Sequence, residues 1–177
     1  MKKVFTGSLL AGMVLFFCAC SSDDTGDPVG NEKIEVTIGS ADPIIFSGSC
    51  MKLSDNTYQL SGNANDDSGL SFTISWQGEE PKGTFAWNAN FETNAAGTWL
   101  LMANGDMTKS YYSYDAANGE VTGNRSGSLV IEKFGGVDGF VEGTFEVTNA
   151  RLLEVSNATA NESIVKITAK FKVSRSI

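Results

Sequence analysis

The sequence predicts an all-β fold: an antiparallel β-sandwich of about ten short strands, with a closed or flattened meander β-barrel as the alternative. Apolar residues recur with period two from Lys33 onward, the mark of half-buried strands. Turn-forming residues separate the runs at close intervals, and no stretch carries a long helical stripe. Many short strands at such spacing fit a sandwich or barrel.

The elements follow in chain order. Runs 33–39, 43–53 and 57–62 come first. The clearest alternation is GLSFTISWQG, with Leu70, Phe72, Ile74 and Trp76 on one side and Ser71, Thr73, Ser75 and Gln77 on the other. Run 83–91 places Phe85, Trp87 and Phe91 on one face. Run 97–103 contains TWLLMA, apolar on both faces, which predicts a strand covered by a second packed layer. Runs 107–114, 119–124 and 127–134 follow. In 141–148, Val141, Gly143, Phe145 and Val147 share one face, and Glu142, Thr144, Glu146 and Thr148 the other. In the last run Val165, Ile167, Ala169, Phe171 and Val173 alternate with Lys166, Thr168, Lys170, Lys172 and Ser174. The outward acids of 142–148 complement the outward lysines of 166–172 if these strands are antiparallel neighbours. Asp66-Asp67-Ser68-Gly69, Asn104-Gly105, Asn118-Gly119 and Gly135-Gly136 supply turns. GTF occurs at 83–85 and at 143–145, too short to establish a repeat; each Gly reads as a bulge or strand start.

Before the strands lies an address. Met1-Lys2-Lys3 precedes an apolar run ending at Phe17, shorter than the about 20 residues of a membrane-spanning helix and organised as a signal peptide. Cleavage needs a small residue before the cysteine that receives lipid. Ala19 precedes Cys20, whereas bulky Phe17 precedes Cys18. Cys20 is therefore the expected lipidation site and residues 1–19 the removed signal, with Phe17 standing where Leu or Val is usual. Residues 20–32, SSDDTGDPVGNE after the cysteine, have linker composition and a reach of about 20 Å as a coil. Residues 33–177 form a single domain.

Cys20-Ser21-Ser22-Asp23-Asp24 resembles the lipidated cysteine and acidic export tag of Bacteroidetes-type surface lipoproteins. The resemblance implies a protein held in the outer membrane by acyl chains and facing outward. Tyr112 and Tyr114, a turn, and GSLVIEKFGGVDGFVEGTFEV are similar to the C-terminal half of small lipoproteins of unknown function in that group. This implies an all-β surface lipoprotein and brings no catalytic residues.

Composition excludes several chemistries. The formal net charge of −8 becomes −10 once the signal takes Lys2 and Lys3 away, so phosphate backbones are repelled and nucleic acid is not an expected partner. The bilayer is expected to hold the chain through acylated Cys20 rather than through basic residues. The chain has no histidine, which removes histidine-based metal sites and His-dependent triads. With Cys20 lipidated, Cys50 is the last thiol and no intramolecular disulfide forms; it reads as a small buried apolar residue. No cofactor and no metal are expected.

Remaining signals are weak against ordinary structural roles. Glu142 and Glu146 on one strand face stand about 13 Å apart, too far for a glycosidase pair, and Glu79-Glu80-Pro81 reads as a turn. S-x-x-K at Ser49–Lys52 and Ser163–Lys166 lies on strands, where residues three apart face opposite ways. Asn63, Asn65, Asp66 and Asp67 offer oxygen ligands for calcium but are equally turn residues, and no EF-hand pattern is present. The sequons at Asn124, Asn157 and Asn161 are coincidental in a bacterial lipoprotein. Tyr112 and Tyr114 share a strand face opposite Tyr111 and are the candidate ligand-binding pair, suited to stacking on sugar rings or gripping a protein. The expected function is a non-catalytic surface lipoprotein whose β-domain binds a glycan or protein outside the cell or in the envelope. A structural envelope component and a carboxylate-dependent hydrolase are the alternatives.

Overall fold

The computed structural model describes residues 32–90, 97–117, 120–156 and 159–176. The expected signal peptide 1–19, Cys20, the expected tag Ser21, Ser22, Asp23 and Asp24, and with them Phe91, Asn118-Gly119 and Asn157, lie outside the described residues.

The described residues are all-β and hold twelve strands: β1 (Lys33–Ile38), β2 (Ile44–Ser54), β3 (Thr57–Ala64), β4 (Leu70–Gln77), β5 (Gly83–Ala86), β6 (Trp99–Asn104), β7 (Lys109–Tyr112), β8 (Tyr114–Ala117), β9 (Glu120–Asn124), β10 (Gly127–Phe134), β11 (Phe140–Ser156) and β12 (Thr159–Arg175). Ten form one sheet in the order β1-β12-β2-β3-β4-β6-β7-β11-β10-β5, with further pairings β1–β2 and β11–β12; β8 and β9 form a separate ribbon. The pairings are antiparallel except for the short β12–β2 contact at Ser174 and Arg175.

The large sheet bends over so that two of its layers face each other, as in a sandwich. Phe72 on β4 meets Phe145 on β11 at 6.0 Å between ring centroids, and Tyr58 on β3 meets Phe134 on β10 edge-on at 5.2 Å. One core lies between the layers, and Ile34, Phe46, Leu60, Ile74, Trp76, Leu100, Leu129 and Ile167 within it are fully buried. Burial of each such side chain contributes roughly 1.5–3 kcal/mol. β1 bridges β2 and β12 on one side, and β6 with β7 bridges β4 and β11 on the other. No regular barrel results, because β11 is shared. One edge of β11 holds β12 along its length, while the other holds β10 against Val141–Val147 and β7 against Arg151–Glu154.

The expected pairing of acids and lysines is realised in this register: Glu142 lies opposite Lys172, and Lys166 Nζ sits 2.9 Å from Glu146. The hairpin is much longer than the alternating runs that announce it, at 17 residues per strand. A bulge explains the interruption. Thr148 and Asn149 together face Lys166, so Val147 and Ala150 both point into the core, which breaks the sequence period at that point.

Two other runs end earlier than the alternation predicts. Run 107–114 bends at Ser113, whose amide bonds the Leu100 carbonyl while its hydroxyl accepts from the Leu100 amide. With both groups engaged, the chain leaves the sheet and continues as β8 against β9. In run 83–91 the ladder stops at Ala86. Trp87 turns inward, its indole N–H bonding the Glu146 carbonyl at 2.7 Å, and Asn88 pairs with Thr98.

The register also defines two poles. Lys33, Thr57, Gln77, Phe140 and Arg175 lie at the pole where the first described residues enter the sheet, and Glu32 there accepts the Ser174 amide. Ile38, Ile44, Leu70, Asn104 and Lys109 lie at the other.

Candidate functional site

Tyr112 and Tyr114 do come together, edge to face at 5.5 Å between centroids. Tyr114 is buried, however, and desolvation pushes its phenol up to about 12. Tyr112 is half-buried, with the Arg151 guanidinium 5.8 Å from its ring centroid. Arg151 in turn pairs with Glu162, and Arg125 with Asp115 on the ribbon. The bend at Ser113 is the cause: it lets Tyr114 fold back beside Tyr112 instead of continuing along an open face. The open tyrosine pair expected from the sequence is thus a packed one. Tyr111 faces the core from the same strand and is buried.

A mainly apolar, half-open recess lies at the second of these poles. It has a volume of about 430 Å³ and is lined by Ile38, Ala41, Ile44, Leu70 and the Tyr111 ring, with Ser68, Asn104 and Lys109 beside them. The floor is apolar because the outermost core residues of β1, β2, β4 and β7 lie there with no layer of described residues above them. Two tight turns fix the rim. The Asn104 side chain accepts the Lys109 amide at 2.8 Å and donates to Thr108 Oγ1, while Asp106 accepts both the amide and the hydroxyl of Thr108. On the other side Asp66 accepts both the hydroxyl and the amide of Ser68. These bonds hold the Asp66 and Asp106 carboxyls below their usual range. Lys109 Nζ stands 3.3 Å from Glu154 and 5.9 Å from the Tyr111 centroid. An apolar floor with one amine, one amide and one hydroxyl on a fixed rim suits a compact, mainly apolar ligand with a polar end. The sequence hid this site because Ile38, Ile44, Leu70 and Tyr111 each read as ordinary core.

The other residues singled out from the sequence take structural places. The carboxylate of Asp66 and the amide of Asn65, which accepts from Ser47, are engaged in the turn 65–69. Among the described residues no group of three or more Asp, Glu or Cys is placed to hold a metal ion. Glu142 lies between Lys133 at 3.6 Å and Lys172 at 4.0 Å on the outer sheet face. Ser49–Lys52 and Ser163–Lys166 are both on strands, β2 and β12. Cys50 is fully buried, and desolvation pushes its thiol up to about 12. Asn124 ends β9 and Asn161 is exposed near the start of β12. No protein family, curated protein or solved structure matches the chain.

Proposed function

We propose that this is an outer-membrane surface lipoprotein, anchored through Cys20, whose β-domain binds an extracellular or envelope ligand without catalysing a reaction. The observation that carries the reading is the apolar recess at the pole away from the linker. A chain tethered at Lys33 presents that pole outward, and a coil of about 20 Å leaves room for the domain to stand clear of the lipid. The recess offers a hydrophobic seat and a few fixed polar groups, which is recognition chemistry. It holds no pair of carboxylates, and Glu142 and Glu146 face lysines elsewhere. The ligand class is a sugar ring with an apolar face, or an apolar side chain presented by a surface protein.

The test uses the full lipidated chain in detergent against a glycan and envelope-extract panel. Ile44→Gln places an amide in the floor and abolishes binding, while Tyr112→Ala preserves it. Binding untouched by Ile44→Gln, or absent across the panel, rejects the recess. Cys20→Ala abolishes labelling by a fatty-acid probe; persistent labelling rejects the anchor.

A further inference from the structure

We propose that the chain pairs with a second copy of itself through the open edge of β12 between Thr159 and Ile164. Beyond Ala150 and Val165 the β11–β12 hairpin runs past the core as an arm. On its β11 side, β7 covers Arg151–Glu154. On its β12 side, β1 ends with the Gly39 amide on the Lys166 carbonyl at 2.7 Å, and no described residue pairs with Thr159–Ile164 except those of β11. All six residues are exposed, Ile164 by 66%.

The direction of the free groups follows from strand alternation. The Lys166 carbonyl points to the β1 side, so the amides and carbonyls of Ile164, Glu162 and Ala160 do as well. An unpaired row of this kind is a template for another strand unless it is guarded by Lys, Pro, a bulge or brevity. The far end of the sheet is guarded: β5 has four residues and follows Pro81-Lys82. Thr159–Ile164 has no Lys, Pro or bulge, and its one charge, Glu162, is tied to Arg151 of its own chain.

The single charge of the segment admits a second copy of the same strand and sets its register. A two-fold axis through Asn161 sets Asn161 against its own copy, Ala160 against Glu162 of the copy and Thr159 against Ser163. No like charges then meet, and Ala160 and Glu162 exchange backbone bonds with their counterparts. An axis through Glu162 sets two carboxylates face to face, and a shift by one residue turns the outer face of one copy to the core side of the other. The Asn161 register makes an end-to-end dimer. Lys33 pairs with Lys172, so at about 3.3 Å per residue the two linker attachment points lie about 70 Å apart.

Sedimentation of the full chain in detergent tests this. The wild type shows a concentration-dependent species of twice the monomer mass. Ala160→Lys, which meets Glu162 of the copy, tightens it a few-fold to about tenfold; Ala160→Glu weakens it by a similar factor. The same two changes at exposed Ser47, on β2, leave it unchanged and so separate a local contact from net charge. Asn161 sits at a non-hydrogen-bonded position, where Cα atoms approach to about 4.5 Å, so Asn161→Cys gives a disulfide-linked dimer and Ser163→Cys does not. A wild type that stays monomeric without the Asn161→Cys crosslink, or a dimer indifferent to the charge at 160, overturns the proposal.

Discussion

Gly143 is one of the places where the large sheet has no room for a side chain. It lies on the core face of β11, opposite Ile131 of β10 and Phe171 of β12. A Cβ placed there would stand 2.1 Å from the Val130 carbonyl oxygen and 2.8 Å from Phe171 Cζ. Both are well inside van der Waals contact, but they differ in kind. A ring at the end of a side chain turns aside, whereas a carbonyl fixed in the β10–β11 ladder moves only if the strands part. Gly143→Ala should therefore cost about 2–4 kcal/mol through overpacking and weakened ladder bonds. At about 2–4 °C per kcal/mol for a domain of this size, the melting temperature falls by roughly 5–15 °C. Urea unfolding gives the free energy, and a second substitution apportions it. Phe171→Leu alone costs about 1–2 kcal/mol and removes the ring obstacle. If the carbonyl is decisive, the double variant is at least as unstable as the sum of the two, within about 0.5 kcal/mol. A Gly143→Ala protein within about 0.5 kcal/mol of wild type, or one restored by Phe171→Leu, refutes the reasoning.

Three further measurements follow from the same structure. Trp76 is fully buried with its indole N–H unpartnered among the described residues, so Trp76→Phe sacrifices volume but no hydrogen bond; it should cost about 1 kcal/mol, well under the roughly 3–5 kcal/mol of a Trp→Ala change, and a larger loss in urea melts would reveal a missing partner. Cys50, with its thiol pushed up to about 12 by burial, should resist a disulfide reagent at pH 8 in native protein and react at once in denaturant; fast native labelling contradicts the packing. Bonds from Ser68, Thr108, Lys166 and Arg151 hold Asp66, Asp106, Glu146 and Glu162, respectively, below the ordinary carboxylate range. Their stabilisation is complete above the ordinary values and is lost as pH falls through the depressed ones, so the melting temperature should drop below about pH 4. Glu146→Lys should lower it at neutral pH by facing Lys166 with a like charge, and an unchanged melt at low salt would show that the pair is idle.

The positions of most strands were legible from alternation alone, because one face of each meets the core and the other meets water. The charge pattern even named a correct neighbour pair, β11 with β12. Legibility failed where that asymmetry fails. Along the arm Thr159–Ile164 both faces are exposed, so nothing enforces a period, and the bulge at Thr148 and Asn149 hid the continuity of β11. TWLLMA announced itself as covered on both sides, and Trp99 and Leu101 on its outer face are indeed half-buried.

Chemical content divides along the same line. By itself the sequence determined an all-β chain without histidine and left one thiol in the domain, because composition and near-neighbour periodicity are local properties. Tertiary structure alone decided that Tyr114 packs away beside Tyr112, that Ile38, Ile44, Leu70 and Tyr111 open into a recess, and that no described residue pairs with the outer edge of β12 along Thr159–Ile164. Each depends on which distant strands meet and where a strand outruns its neighbour, and such meetings are fixed by the closure of the whole sheet rather than by any stretch of residues within it.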